Sequence, residues 1–263
     1  MERDPNGGSD VGRDLSDEPP GLLRDSAPDY LAPIDESAPV SGHVPPPEPV
    51  GSVVDAPEHD WGHAAGLLFP CLRPPGTVGL RVDEITPEML SAQAAKPQHG
   101  QPLIDEGPCD LVVVYAFHAG GFDVIVNVDH LLAWGVRPAD VRDAATANLA
   151  AWSATAPWTD EVSGDRRLLS SDSGEGWDAS RILLPDVRDH LCAELADAGR
   201  VLVGLPERHL LIAGALRPGD DEFGALFTDF VVEHSGGADE PVDRRVFELV
   251  EGRLVESRPA AAG

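Results

Sequence analysis

Apolar residues fall into alternating and helical rhythms along this chain, and nearly all of them come after Trp61. Leu111–Phe117 and Phe122–Val128 are β-branched runs joined by HAGG, the pattern of two buried strands about a tight connection. Asp129 is placed to cap a short helix, HLLAW, and Gly135 to end it in the left-handed conformation. Pro138 then opens a longer helix, with Val141, Ala145, Asn148, Leu149 and Trp152 at the spacing of one face. Residues 63–74 and 77–85 read as two short strands, or a strand and a loop. Thr86 and Pro87 predict a helix over 85–93. Residues 93–108 and 153–167 read as loops.

Further on, residues 168–171 and 179–184 suggest two short elements about the turn SDSGEGWD. A helix is predicted over 185–199, opened by Pro185, with Val187, Leu191 and Leu195 inward and Gly199 after its end. Strands follow at 201–205 and 209–216. The next helix, 220–234, has Phe223, Phe227, Phe230 and Val231 on its apolar side. A hairpin at 246–250 and 253–256 turns at Glu251-Gly252. The fold class expected is α+β, a mixed and mostly antiparallel sheet with helices packed on it. Strand–strand–helix occurs at 111–152 and again at 201–234, which suggests a duplicated unit.

Composition changes the picture at the ends. Residues 1–60 are rich in Pro, Gly, Ser and acids, with PPPEP at 45–49 and one aromatic, Tyr30. Such a stretch buries too little apolar area to offset ordering its backbone, so it is expected to be a disordered acidic tail. The domain is expected over 61–257, with a second disordered tail at 258–263. The N-terminus lacks a basic region followed by an apolar one, and no apolar run approaches the ~20 residues of a spanning helix. Cys71, Cys109 and Cys192 are widely spaced beside apolar residues, which suits reduced, packed thiols in a cytoplasm.

The formal net charge is −27, with one lysine, Lys96. Nucleic-acid binding needs clustered cations to release counterions. Arg166-Arg167 and Arg244-Arg245 are only isolated pairs, so neither nucleic acid nor an anionic membrane is expected as a partner. The partner expected is a protein or small molecule, of unknown identity, and the oligomeric state is unknown.

Several segments could carry chemistry. GEGWDA at 174–179 has the letters of a dinucleotide fingerprint, but Glu175 and Asp178 put negative charge where phosphate would lie. Asp172, Ser173, Glu175 and Asp178 could surround a hard cation, yet the spacing is not that of a calcium loop, and a solvated turn is expected. His59 and His63 are four apart, with Asp60 and Cys71 as further donors, but Gly62 argues against the helix a zinc pair would need. No metal, no cofactor and no catalytic residue is expected. Asn148, Ser180 and Arg208 stand out as polar residues inside apolar blocks. They are either a buried network pinning helix to sheet or a ligand-facing cluster.

Four blocks resemble the YtpQ-like family of bacterial proteins of unknown function. They are DLVVVYAF at 110–117, VDHLLAWGVRPADVRDAATANL at 128–149, WDASRILL at 177–184 and VLVGLPERHLLIAGA at 201–215. The match covers roughly 67–256. The chain departs from the family at His209, where an Asp is usual, and at Arg137, where a capping Ser or Thr is frequent. The resemblance brings no activity with it. The expected function is a non-catalytic cytoplasmic binding or regulatory protein. A hydrolase with a site near Ser180 and Arg208 is one alternative. An acidic immunity-type protein neutralising a basic partner is another.

Overall fold

The computed structural model describes residues 57–90, 100–119 and 122–257. Most of the tail expected at 1–60, that is 1–56, the tail expected at 258–263, residues 91–99 and the glycines at 120–121 lie outside the described residues. Pro57–Asp60 already belongs to the fold. The Asp60 carboxylate caps a one-turn helix, α1 (Trp61–Ala64), by accepting from the Gly62 N–H at 2.9 Å. The Pro57 carbonyl accepts from the Trp134 indole at 2.8 Å.

The first sheet contains β1 (Leu68–Arg73), β2 (Leu80–Arg81), β3 (Leu103–Glu106), β4 (Val112–Ala119) and β5 (Phe122–Ile125). Long β4 is its axis. β1 pairs antiparallel along one side, β3 and β5 share the other, and β2 lies parallel to β3. One expectation is corrected here. The segment 93–108 contains β3, because Leu103 and Ile104 are drawn onto β4 and Leu103 is fully buried. In 85–93 the described part, to Leu90, forms a turn in which Thr86 accepts from Met89 and Leu90.

Two helices follow, α2 (Val128–Trp134) and α3 (Pro138–Ser153). Asn127, not Asp129, caps α2, accepting from the His130 N–H while the His130 ring accepts from the Asn127 N–H. Gly135 takes the left-handed position, φ 67°. Val141, Ala145 and Leu149 of α3 are fully buried over the first sheet. Trp152 is only half-buried at that face's end, so it borders the core instead of filling it.

The second sheet is antiparallel throughout. It takes β6 (Thr159–Ser163), β7 (Arg166–Ser171), β8 (Arg200–Glu207), β9 (Leu210–Leu216), β10 (Val246–Val250) and β11 (Arg253–Glu256) in the order β11-β10-β8-β9-β7-β6. Between β7 and β8 come a 3-10 turn (Ala179–Leu183) and α4 (Pro185–Leu195); α5 (Asp221–Gly237) follows β9. β6 corrects the loop expected at 153–167. All five of its residues are exposed, so no apolar rhythm marks it, and pairing with β7 alone makes it a strand.

Alternation divides the second sheet's faces. Leu169, Val203, Leu205, Leu211, Ala213 and Phe247 join one large core with α3, α4 and the first sheet. Leu202 and Ile212 point the other way, beneath Phe223, Phe227 and Val231 of α5. Phe230, expected on that apolar side, is 37% exposed and stacks on His234 instead. The two strand–strand–helix runs fall in different sheets with different neighbours. The whole is α+β with mostly antiparallel strands.

Candidate functional site

Asn148 and Ser180 hold β1 and its approach, and Arg208 stands between β8 and β9. The Asn148 amide donates to the carbonyls of Ala65 (2.7 Å) and Leu68 (2.9 Å). Ser180 is buried, and its hydroxyl accepts from the Leu72 N–H at 3.2 Å. Arg208 is buried and donates to the Gly176 carbonyl, to Asp123 and to Glu240. Its guanidinium lies 5.3 Å from the Trp177 ring, and that ring stacks on Phe69 of β1 at 4.6 Å. The three residues share no partner. Asn148 and Ser180 fix different points of β1 and its approach, and Arg208 reaches β1 indirectly, through Trp177 and Glu240.

Arg208 nevertheless centres a polar cluster. Glu240 also accepts from Arg73, and Asp123 also meets the His118 ring at 3.2 Å. Burial would raise the Asp123 carboxyl, but hydrogen bonds from Arg208 and His118 outweigh it and hold the group below its ordinary value. Gly176, at φ 85°, is required here: a Cβ would sit 2.4 Å from the Arg208 guanidinium. Cys71 lies close enough to feel these charges, but burial pushes its thiol up to about 12. It is therefore protonated at neutral pH and is no nucleophile for the His118–Asp123 pair.

A second network was missed by the sequence reading. Asp178, placed there in a solvated turn, is completely buried. It accepts from the Ser171 hydroxyl at 2.5 Å and from the Ser173 N–H and hydroxyl at 3.1 and 2.7 Å. Ser171 in turn accepts from Arg181 at 2.6 Å, so a serine hydroxyl joins two buried charges. Arg181 also donates to Ser153 and to the carbonyls of Pro157 and Ala156. Its guanidinium lies 4.0 Å from the Trp158 ring, and burial lowers its pKa to about 10. The available signal was an arginine inside the apolar run Arg181–Leu184, three residues after an acid.

Among the described residues, no group of three or more His, Cys, Asp or Glu is arranged to hold a metal. Asp60 is occupied in capping α1, and Cys71 is inside β1. Gly174 and Gly176 do take positive φ, but the Arg208 guanidinium lies against Gly176, and Asp178 is buried on Ser171 and Ser173.

Among the described residues, a groove of about 1500 Å³ runs along α5. Gly224, Ala225 and Thr228 of α5 face Leu202, Val246 and Glu248 of the sheet. Asp189, Asp221, Asp229, Glu251 and Glu256 add carboxylates to its lining. Its arginines are already engaged: Arg200 with Glu248, Arg217 with Asp165, and Arg245 with Asp243 and Glu256. No family model matches the chain, and no curated protein or solved structure matches it either.

Proposed function

We propose that this chain is a non-catalytic binding or regulatory protein of the YtpQ-like kind, and that a partner seats in the groove along α5. The observation carrying this reading is the groove itself, with an apolar floor and a surplus of carboxylates around it. Clefts with that mixture are the usual places for recognition. The polar residues that a hydrolase would have used are engaged elsewhere, with Ser180 buried on the Leu72 amide. A carboxylate-lined groove in a chain of net charge −27 favours a cationic protein partner, the same chemistry an immunity-type protein would exploit. Three free cysteines support a reducing compartment, the cytoplasm. No helix among the described residues is long and apolar enough to cross a membrane.

The test is affinity capture from cell extract with three baits: the wild-type chain, Thr228→Trp inside the groove, and Arg137→Ala on α3. A partner retained by wild type and Arg137→Ala but lost by Thr228→Trp is the expected result. Identical partners on all three baits would remove the groove from the reading.

A further inference from the structure

We propose that the outer edge of β6 accepts an extended, cationic segment of a partner protein by strand addition. This surface lies apart from the α5 groove, so either reading can fail alone. Among the described residues, β6 ends the second sheet, pairs only with β7, and exposes every one of its residues from Thr159 to Ser163. Gly164 (φ 65°) and Asp165 form the two-residue turn that closes Ser163 against Arg166. In such a hairpin the closing pair exchanges both main-chain hydrogen bonds, and bonded pairs then recur at every second residue. The main-chain groups of Asp160 and Val162 therefore point away from β7, towards open solvent. An unpaired row of this kind is a template for another strand.

The opposite edge of the same sheet is treated differently. The Leu254 carbonyl of β11 accepts from the Cys109 thiol at 3.2 Å, and Arg245 lies across to Glu256. β6 is also held firmly. Trp158, just before it, packs on the Arg181 guanidinium, and Arg167 binds both Asp160 and Glu194.

Charge selects the occupant. Arg166 and Arg167 each already hold two carboxylates and Arg217 holds Asp165, which leaves Glu161 as the additional negative charge on the edge strand. A second copy of this chain would bring Asp160 and Glu161 towards their own duplicates, and like charges across strands destabilise pairing. Lysine or arginine at alternate positions of an incoming strand would lie on the face that carries Glu161. An apolar residue between them would cover Val162, which is 67% exposed.

The experiment follows amide hydrogen exchange by NMR on the full chain. The probe is a synthetic peptide of alternating lysine and valine, and a glutamate–valine peptide is the control. The lysine peptide should slow exchange at Asp160 and Val162 by about tenfold or more, and the glutamate peptide should not. Val162→Pro removes an outward donor without touching the β7 ladder, so it should abolish that protection while leaving the melting temperature unchanged. If that variant melts lower, Glu161→Lys replaces it and must weaken lysine-peptide binding. Binding without protection at β6, protection that survives these variants, or no binding would each overturn the proposal. So would concentration-dependent protection without peptide, which would make a second copy the occupant.

Discussion

Arg181 and Asp178 show how a single buried charge is made tolerable. Neither touches the other. Ser171 receives from the guanidinium and donates to the carboxylate, while four backbone or hydroxyl oxygens and two indole faces occupy the rest of Arg181. Replacing one member leaves the other charged and buried without its counterpart. Arg181→Met should therefore cost about 3–5 kcal/mol, read as a fall in denaturant midpoint at constant slope. Asp123 gives a pH prediction. Its carboxyl is held below its unfolded value by Arg208 and His118, against the effect of burial. A depressed native value adds stability above the unfolded carboxyl pKa of about 3.9, and the contribution is lost as pH falls through the native value. Asp123→Asn should thus flatten the acid limb of the melting temperature below about pH 4 and leave its slope near neutrality unchanged. An unaltered acid limb would show that the Arg208 pair is not coupled to folding.

Elements are secured by what lies at their ends. α3 buries Val141, Ala145 and Leu149 completely, but Trp152, one turn on, donates its indole N–H to exposed Glu175. Its deletion should be milder than that of an enclosed aromatic. Trp152→Ala is expected to cost about 2 kcal/mol, roughly half the loss typical of a buried one. A loss near 4 kcal/mol would mean that the helix end is packed in solution more tightly than its exposure implies. The β10–β11 hairpin needs Glu251 (φ 51°) and Gly252 (φ 71°) both in the left-handed region, which is why a two-residue turn with glycine second was readable. The β6–β7 hairpin was not readable in the same way, because Thr159–Ser163 offers no buried face.

At the scale of the whole molecule, arginine is spent internally. Arg73, Arg142, Arg166, Arg167, Arg200 and Arg208 are all paired with carboxylates. This leaves little free positive charge against the surplus acid. Duplex DNA titrated at moderate salt should give no change in fluorescence anisotropy, since counterion release has no cationic stripe to drive it. A salt-sensitive binding curve would contradict the charge argument directly. Buried residues among those described run from Ala64 to Leu254. A chain beginning at Pro57 should therefore keep the cooperative transition and midpoint of the full chain in thermal denaturation.

Sequence alone determined the elements that carry their own rhythm or their own punctuation. The β4 and β8–β9 runs, the apolar stripes of α3, α4 and α5, and the Pro and Gly residues that start and stop them required no knowledge of neighbours. Arg208 was also legible as held close to the sheet, because it stands between two apolar strands. Tertiary structure decided the rest. β3 and β6 exist only because a neighbouring strand offers main-chain hydrogen bonds, and such a ladder leaves little mark on a short or fully exposed segment. The partners of Asn148, Ser180 and Arg208 lie on β1, on β5, at Gly176 and at Glu240, separated by 32 to 108 positions along the chain. Asp178 became an internal charge because Ser171 and Ser173 fold back over it, a desolvation at which only Arg181, inside an apolar run three residues on, hinted. Long-range packing chooses which polar groups are buried together, because their partners are brought in from distant parts of the chain.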